Sequence, residues 1–464
     1  MGMRSLGDKV SGLLLCAITV LVICNEWGLA AWTQPLKAML VLALMAILVF
    51  QVRLSRKAFV AVAVLISIAL AATHAGWRAI VVDGLVTSAF IGAFFTALST
   101  LRSVAATSPA IQRAGTFLAG QRPGRRYAAL TLGGQAFALL LNYGSLQLLG
   151  ALAMANAKLE PDAEIRAHRI RRMLLAIQRA FVSTLPWSPL SFAVAISISV
   201  IPGTSWSQAM LPGLVTSVIL AGIGWTLDTV FKPHLAVTPT RTAPQGTWAT
   251  MLPLVALLAV LVVGVVSLAQ LTDVRIVGLV AVLVPSIALV WMFIQHWSEV
   301  PFAKVARRIS DYVLQELPGY RGELVLLMMA GYIGTVGAQL VGPLMLRAGL
   351  DLSMVQPWLI LVSFVWIIPL AGQFGMNPIL AVTLLAPLIP EAASLGVEPT
   401  ALVVALTAGW ALSGASSPFT ATTLLIGHFA GISALRVGVV WNGAYTLVCG
   451  VVLSCWVLIY AFVL

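Results

Sequence analysis

The stretch Ser183-Thr-Leu-Pro-Trp-Ser-Pro-Leu-Ser191 and its echo Ser413-Gly-Ala-Ser-Ser-Pro-Phe-Thr420 each interrupt a long apolar run with proline, glycine and hydroxyl side chains. The two share a register: Ser188-Pro189-Leu190-Ser191 overlays Ser417-Pro418-Phe419-Thr420. In water each would be a turn. Within a bilayer each predicts a broken helix, because unwound backbone at membrane depth survives only where protein encloses it or a cavity is lined. A matched pair of interrupted helices in two halves of a chain points to a transporter's binding site.

Composition supplies the bilayer. Apolar residues make up 60% of the 464 positions and charged residues 9%, against about a quarter charged in soluble chains. The net charge of +12 does not indicate nucleic acid, because the basic residues fall in short loops between apolar runs, where they orient a membrane protein. Cys16, Cys24, Cys449 and Cys455 sit within apolar runs and read as small buried hydrophobes, with neither a disulfide framework nor metal-ligand spacing. Arg4 and Lys9 precede an apolar run reaching to about residue 32, too long for a signal peptide and so read as a first membrane helix.

Outward from the two breaks, simple spans are expected near 10–32, 36–52, 58–75, 79–101, 207–231, 250–270, 274–296, 323–346 and 437–461. Broken helices occupy 174–201 and 400–430, which brings the count to about eleven. Two further stretches, 127–154 and 356–390, carry central Leu141-Asn-Tyr-Gly-Ser145 and Gly372-Gln-Phe-Gly-Met-Asn-Pro378. They read as re-entrant helical hairpins with polar tips. Arg102 to Arg126 reads as a basic loop, while Lys158–Arg172 and 300–317 read as amphipathic segments on the inner surface. Gly331, Gly334 and Gly337 form a small face for close helix packing, and Gly133-Gly134 reads as packing too.

With the N-terminus inside, 23 of the 27 Lys and Arg fall on the inner side, leaving only Lys37, Arg78, Arg275 and Arg347 outside. A miscounted span would swap the later loops and erase this asymmetry, so the count and a periplasmic C-terminus support each other. The first hairpin then enters from inside and the second from outside, and each precedes a broken helix and one more span. The chain reads as an all-α polytopic membrane protein with an inverted repeat. An extra helix occupies 1–35, the first repeat 36–231, a cytoplasmic linker 232–249 and the second repeat 250–464.

Four irregular segments should converge near the midplane. They supply Asn142, Tyr143 and Ser145, then Gln373 and Asn377, then Ser183, Thr184, Ser188 and Ser191, then Ser413, Ser416, Ser417 and Thr420. Neutral oxygens in such numbers suit Na⁺, although a single membrane Ser or Thr more often bonds to its own helix. Neither a break nor a tip carries Asp or Glu, which a carboxylate proton relay would require, so Na⁺ coupling is favoured over H⁺. Asp83, with His74 and Arg78, reads as an interfacial cluster, and His428 as an end residue with a lesser claim to pH sensing. Arg179 reads first as a positive-inside anchor and second as a trap for an anionic substrate. The chain holds neither a nucleophile–base arrangement nor a phosphate loop, and no enzymatic activity is expected. A lipid-linked-sugar enzyme would need a large outer loop with Arg and His.

Two oppositely oriented hairpins, each followed by a broken helix, resemble the ion transporter superfamily over residues 36–464. That group includes divalent anion/Na⁺ symporters, citrate and gluconate permeases, metalloid and Na⁺/H⁺ exchangers, and the large permease subunit of tripartite periplasmic transporters. The resemblance implies an elevator-type secondary transporter in a bacterial inner membrane. It would move a small carboxylate-class anion with Na⁺ or H⁺ and need no cofactor beyond the ion. Its scaffold often dimerises. An ion exchanger, or a permease subunit needing a binding-protein partner, is the alternative. The ligand roles that carry over fall on Asn142, Ser145, Thr184, Ser188, Asn377, Ser416, Ser417 and Thr420. The divalent-anion members read Ser-Asn-Thr at both tips. Here the tips read Asn142-Tyr-Gly-Ser145 and Met376-Asn377-Pro378.

Overall fold

The computed structural model describes residues 2–29, 31–232, 246–297, 301–348 and 355–464. Most of the expected linker 232–249, the start of the second amphipathic stretch and the loop at Asp351 lie outside the described residues. Among those described, regular structure is helical throughout. In chain order the helices are α1 (Gly2–Glu26), α2 (Gln34–Gln51), α3 (Leu54–Thr73), α4 (Trp77–Ala106), α5 (Pro109–Ala119), α6 (Pro123–Leu141), α7 (Tyr143–Ala157), α8 (Ala163–Thr184), α9 (Phe192–Val200) and α10 (Trp206–Val230). They continue as α11 (Leu252–Leu271), α12 (Ile276–Gln295), α13 (Pro301–Asp311), α14 (Leu317–Gly319), α15 (Arg321–Arg347), α16 (Pro357–Gln373), α17 (Pro378–Leu385), α18 (Pro399–Ser416), α19 (Ala421–Ala430) and α20 (Gly443–Phe462).

The chain is an all-α polytopic membrane protein. Ten of its described helical stretches are long and apolar enough to cross a bilayer, α18 and α19 counting together as one. The expected eleventh is the first broken helix, and α8 explains the difference. The charged segment Lys158–Arg172 is not a separate surface helix. Asp162 caps α8 by accepting from the Ile165 N–H at 2.9 Å, and no breaker follows until Pro186, so the amphipathic stretch and the apolar one form a single rod. Arg169 and Glu160 are buried together at 2.7 Å, which no freely solvated surface helix would do.

Three other boundaries moved. The first helix ends at Glu26 instead of near 32, where Gly28 turns the chain at φ 71°. Its polar end is held by Lys37 donating to Asn25 at 3.0 Å and by Arg275 on Glu26. The basic loop 102–126 contains a full helix, α5, with Pro109 in its first turn and Ile111, Phe117 and Leu118 buried. The last span is preceded by a π-helical turn, Arg436–Trp441.

The helices gather into two compact units, described separately. The first holds α1 to most of α4, the later part of α11, α12 to α15, and α17 from Ile379. In it Gly331 lets α15 approach Ile91 of α4, and Gly334 and Gly337 let it approach Thr383 and Leu384 of α17. The expected small face therefore packs helix on helix. The second unit holds α5 to α10, α16, and α18 to α20. Its centre is α18, buried from Thr400 to Ser416, and the last three turns of α8, buried from Met173 to Thr184. A helix apolar on every side belongs in such a core. Gly133 lies against Leu118 and Gly134 against Ala180.

The two tip regions differ. In the first, α6 and α7 meet at Asn142 alone. A Cβ on Gly134 would stand 3.9 Å from Leu149, although one continuous helix would separate those residues by about 22 Å. The pair is therefore a folded-back hairpin. In the second, α16 and the turn through Asn377 belong to the second unit and α17 from Ile379 to the first.

Candidate functional site

The two breaks share a serine-proline turn and differ at the cap that follows it. Ser188 and Ser417 each precede a proline, which disfavours the α region for the residue before it, and Ser417 is extended at φ −70°, ψ 127°. Leu185, before Pro186, keeps helical dihedrals as the last residue of the α8 turn. At the first break, Ser188 Oγ accepts from the Leu190 N–H at 3.1 Å, and Ser191 caps α9 by accepting from the Ala193 N–H at 3.1 Å. At the second, Ser417 Oγ accepts from the Phe419 N–H at 3.3 Å, and Thr420 is the cap position of α19. The serine-proline register thus encodes one turn used twice, with the serine folding the chain each time. The second hydroxyl caps the next half-helix through its side chain at Ser191 and only occupies the cap position at Thr420.

Inside the second unit the irregular segments converge. Tyr143, beside the first tip, stacks on Phe181 of α8 with centroids 5.0 Å apart. Gly414 of α18 lies against Val182 and Leu185, and Gln178 Nε2 donates to the Ala415 carbonyl at 3.3 Å, so the two breaks touch. Ser417 Oγ donates to the Gly372 carbonyl at 2.6 Å, and Gln373 Nε2 donates to Ser416 Oγ at 3.4 Å. These bonds bring the end of α16 onto the second break.

Most hydroxyl protons are spent on carbonyls. Ser145 donates to Asn142 O at 2.6 Å, Ser183 to Arg179 O at 2.6 Å, Thr184 to Phe181 O at 2.7 Å and Ser191 to Leu185 O at 2.9 Å. At the second break Ser416 donates to Leu412 O at 2.8 Å and Thr423 to Ser417 O at 2.6 Å, while Thr422 donates to Gly414 O. Thr420 Oγ1 faces Ser417 O at 3.0 Å, Thr422 Oγ1 at 2.9 Å and Thr423 Oγ1 at 3.1 Å. A hydroxyl that has donated its proton still offers lone pairs, so these groups can meet a cation and have little left for an anion. Two are exceptions: Ser188 Oγ only accepts, from the Leu190 N–H, and the fully buried Ser413 Oγ has no partner and faces Gly372. The indole Nε1 of Trp187 is likewise buried without a partner. Asn142 does not point outward as a free amide, for its Oδ1 accepts from the Tyr143 N–H at 2.8 Å. Asn377 is half-buried in the turn before α17.

Sequence reasoning missed a polar network beside the first break. Arg179, read first as a positive-inside anchor, lies inside the second unit. It is 5% exposed and donates from Nε to Asn442 Oδ1 at 3.2 Å, and from Nη1 to Tyr127 Oη at 3.1 Å and Gly224 O at 3.4 Å. Its guanidinium lies 4.4 Å from the Tyr445 ring centroid. Asn442 Nδ2 donates to Gln178 Oε1 at 2.9 Å, and Gln178 continues to the second break. A polar pair, Gln178-Arg179, inside an apolar stretch was the available signal; its partners in α6, α10 and α20 were not. Further toward the α8 start, Arg172 bonds Asp228 through both nitrogens, at 2.8 and 2.6 Å, and this bonding raises its pKa above the usual arginine value. Burial lowers that of Arg171, with the charges of Arg179 and Arg436 adding to the effect.

Among the described residues no cluster of His, Cys, Asp and Glu could hold a metal ion. No known family model matches the chain, and no curated relative does. Solved structures do. The Neisseria gonorrhoeae MtrF structure, described as illuminating a class of antimetabolite efflux pumps, matches at TM-score 0.57 and 13% identity, over 89% of this chain and 96% of that one. The Alcanivorax borkumensis YdaH transporter, described as having an unusual topology, matches at TM-score 0.50 and 16% identity, over 87% and 98%. At such identities the likeness is one of fold. The chain has a membrane-transporter fold, and the comparison does not single out the ion transporter superfamily.

Proposed function

We propose that this protein is a secondary active transporter of a small anionic organic metabolite of the carboxylate class, working in a bacterial inner membrane by an elevator motion coupled to Na⁺. The observation that carries the reading is the meeting of two breaks with the same turn chemistry in the core of one unit. Broken helices place half-helix ends and spare lone pairs at one point, as ion-coupled transporters require. The hydroxyls around Thr420 and Ser417, with protons committed to carbonyls, suit a hard cation, and the breaks themselves carry no carboxylate to relay a proton. MtrF is described as belonging with efflux pumps, which makes outward movement the direction to test first. Asn142, Ser145, Thr184, Ser188, Asn377, Ser416, Ser417 and Thr420 are the residues proposed to line the ion and substrate path.

The test is thermal stability of the detergent-purified protein in Na⁺, K⁺ or choline across a panel of organic acids. A ligand that binds only the folded state adds about 2.7 kcal/mol at a hundredfold excess over its Kd. A shift requiring both Na⁺ and one acid is expected. A shift with ions but none with any acid would replace the reading with ion exchange, or with a permease subunit that needs a binding-protein partner.

A further inference from the structure

We infer that Arg179 is the anion-coordinating residue of this transporter, recognising a carboxylate on the substrate; the inference rests on the anionic-substrate reading above and names the group that would bind it. Arg179 is buried, and its hydrogen bonds go to an amide oxygen, a phenol and a backbone carbonyl. It has no ion pair among the described residues, in contrast to Arg169 and Arg172 on the same helix, which meet Glu160 and Asp228. A buried charge without a counter-charge is costly unless something compensates it. Three neutral acceptors and one ring face hold the guanidinium in place without neutralising it.

Its Nη2 makes no hydrogen bond to a described residue, so one edge of a planar donor fork is free for a carboxylate oxygen. The neighbourhood supports this role by what it lacks. Most hydroxyls of the two breaks have committed their protons to carbonyls, Ser188 and Ser413 apart, so they leave few donors for an anion. The cation also sits one helical turn before Ser183, whose Oγ donates to the Arg179 carbonyl at 2.6 Å, so it stands at the edge of the convergence. Through Asn442 and Gln178 it is hydrogen-bonded onward to the Ala415 carbonyl at the end of α18. Division of labour follows: the breaks offer lone pairs to a cation, and Arg179 offers charge and a free donor to an anion.

The informative variant is Asn442→Asp. It places a carboxylate where Asn442 Oδ1 now lies, 3.2 Å from Arg179 Nε, and so supplies the missing counter-charge from within the protein. The experiment measures thermal shifts of the full-length wild type, Asn442→Asp and Arg179→Lys with acetate, succinate, citrate and benzoate, each against its neutral amide, in Na⁺ buffer. Asn442→Asp is expected to stay folded, its new ion pair to Arg179 set against the lost Nδ2 donations to Gln178 Oε1 and Val437 O, yet to lose at least tenfold in affinity for the acid that binds wild type. Arg179→Lys, which keeps the charge but loses the fork, should lose affinity less. Equal acid affinity in wild type and a folded Asn442→Asp would overturn the assignment of Arg179 while leaving the transporter reading intact. Failure of every acid to shift the wild type would overturn both. A merely structural arginine predicts a folded Asn442→Asp with unchanged acid affinity, which separates the two roles.

Discussion

Asn142 is the most exposed point of the architecture to a decisive test. It joins α6 to α7 by itself, at φ 49° and ψ −130°, the one non-glycine residue among those described with positive φ. Such a conformation costs an L-residue about 1–3 kcal/mol. Its side chain offsets part of that by accepting from the Tyr143 N–H at 2.8 Å, and loss of a helix cap costs about 0.5–2 kcal/mol. Asn142→Ala keeps the strain and loses the cap, so it should fall by about 1–2 kcal/mol. Asn142→Gly also loses the cap but removes the strain, at an entropic cost of about 0.5–1 kcal/mol. Glycine should therefore be the more stable of the two by about 1–2 kcal/mol. The assay is denaturant unfolding of both variants in one fixed mixed micelle, with transport measured alongside in proteoliposomes. If the glycine variant were no more stable than the alanine variant, the turn would not have the backbone described and the hairpin argument would fail. Transport in the glycine variant answers a second question: loss of activity at full stability would assign the amide to the ligand, and retained activity would leave Asn142 as a turn-former.

Two further substitutions probe the same unit. Gly409→Ala gains about 1 kcal/mol of helix propensity, but the new Cβ would run into the Phe364 carbonyl of α16. Overpacking at about 1–3 kcal/mol should win, and a variant more stable than wild type in detergent melting would refute the close α16–α18 contact. Glu160→Ala removes the carboxylate that stands 2.7 Å from Arg169 in a buried pair, and should cost about 3–5 kcal/mol. A loss below about 1 kcal/mol, the ordinary value for an exposed pair, would return Lys158–Arg172 to the surface.

The class was legible because lipid is an unforgiving solvent. Long uncharged runs and loop charges announce themselves locally, and the Ser-Pro-apolar-hydroxyl register determined the turn at Ser188 and Ser417 without reference to anything distant. The positions of Gly133, Gly134 and Gly331 likewise signalled close packing before any partner was known. Helix α5 hid because its loop was read by charge, although Pro109, Ile111 and Phe117 carried the pattern. The amphipathic start of α8 was read as a separate element because a charged face looks solvated until Glu160 is found buried against Arg169.

What the sequence determined by itself is therefore what depends on neighbours in the chain: spans, breaks, caps and the hydroxyl content of the breaks. What only the tertiary structure decided is which long-range partners satisfy the polar groups. Asn442 lies 263 residues beyond Arg179, and Gly372 lies 45 residues before Ser417. No local rule pairs them. An arginine in an apolar stretch can be an anchor, half of an ion pair or an uncompensated charge, and those fates differ only in what the other helices bring beside it. Here α6, α10 and the N-cap of α20 bring a phenol, a carbonyl and an amide, and among the described residues Arg179 has no ion-pair partner.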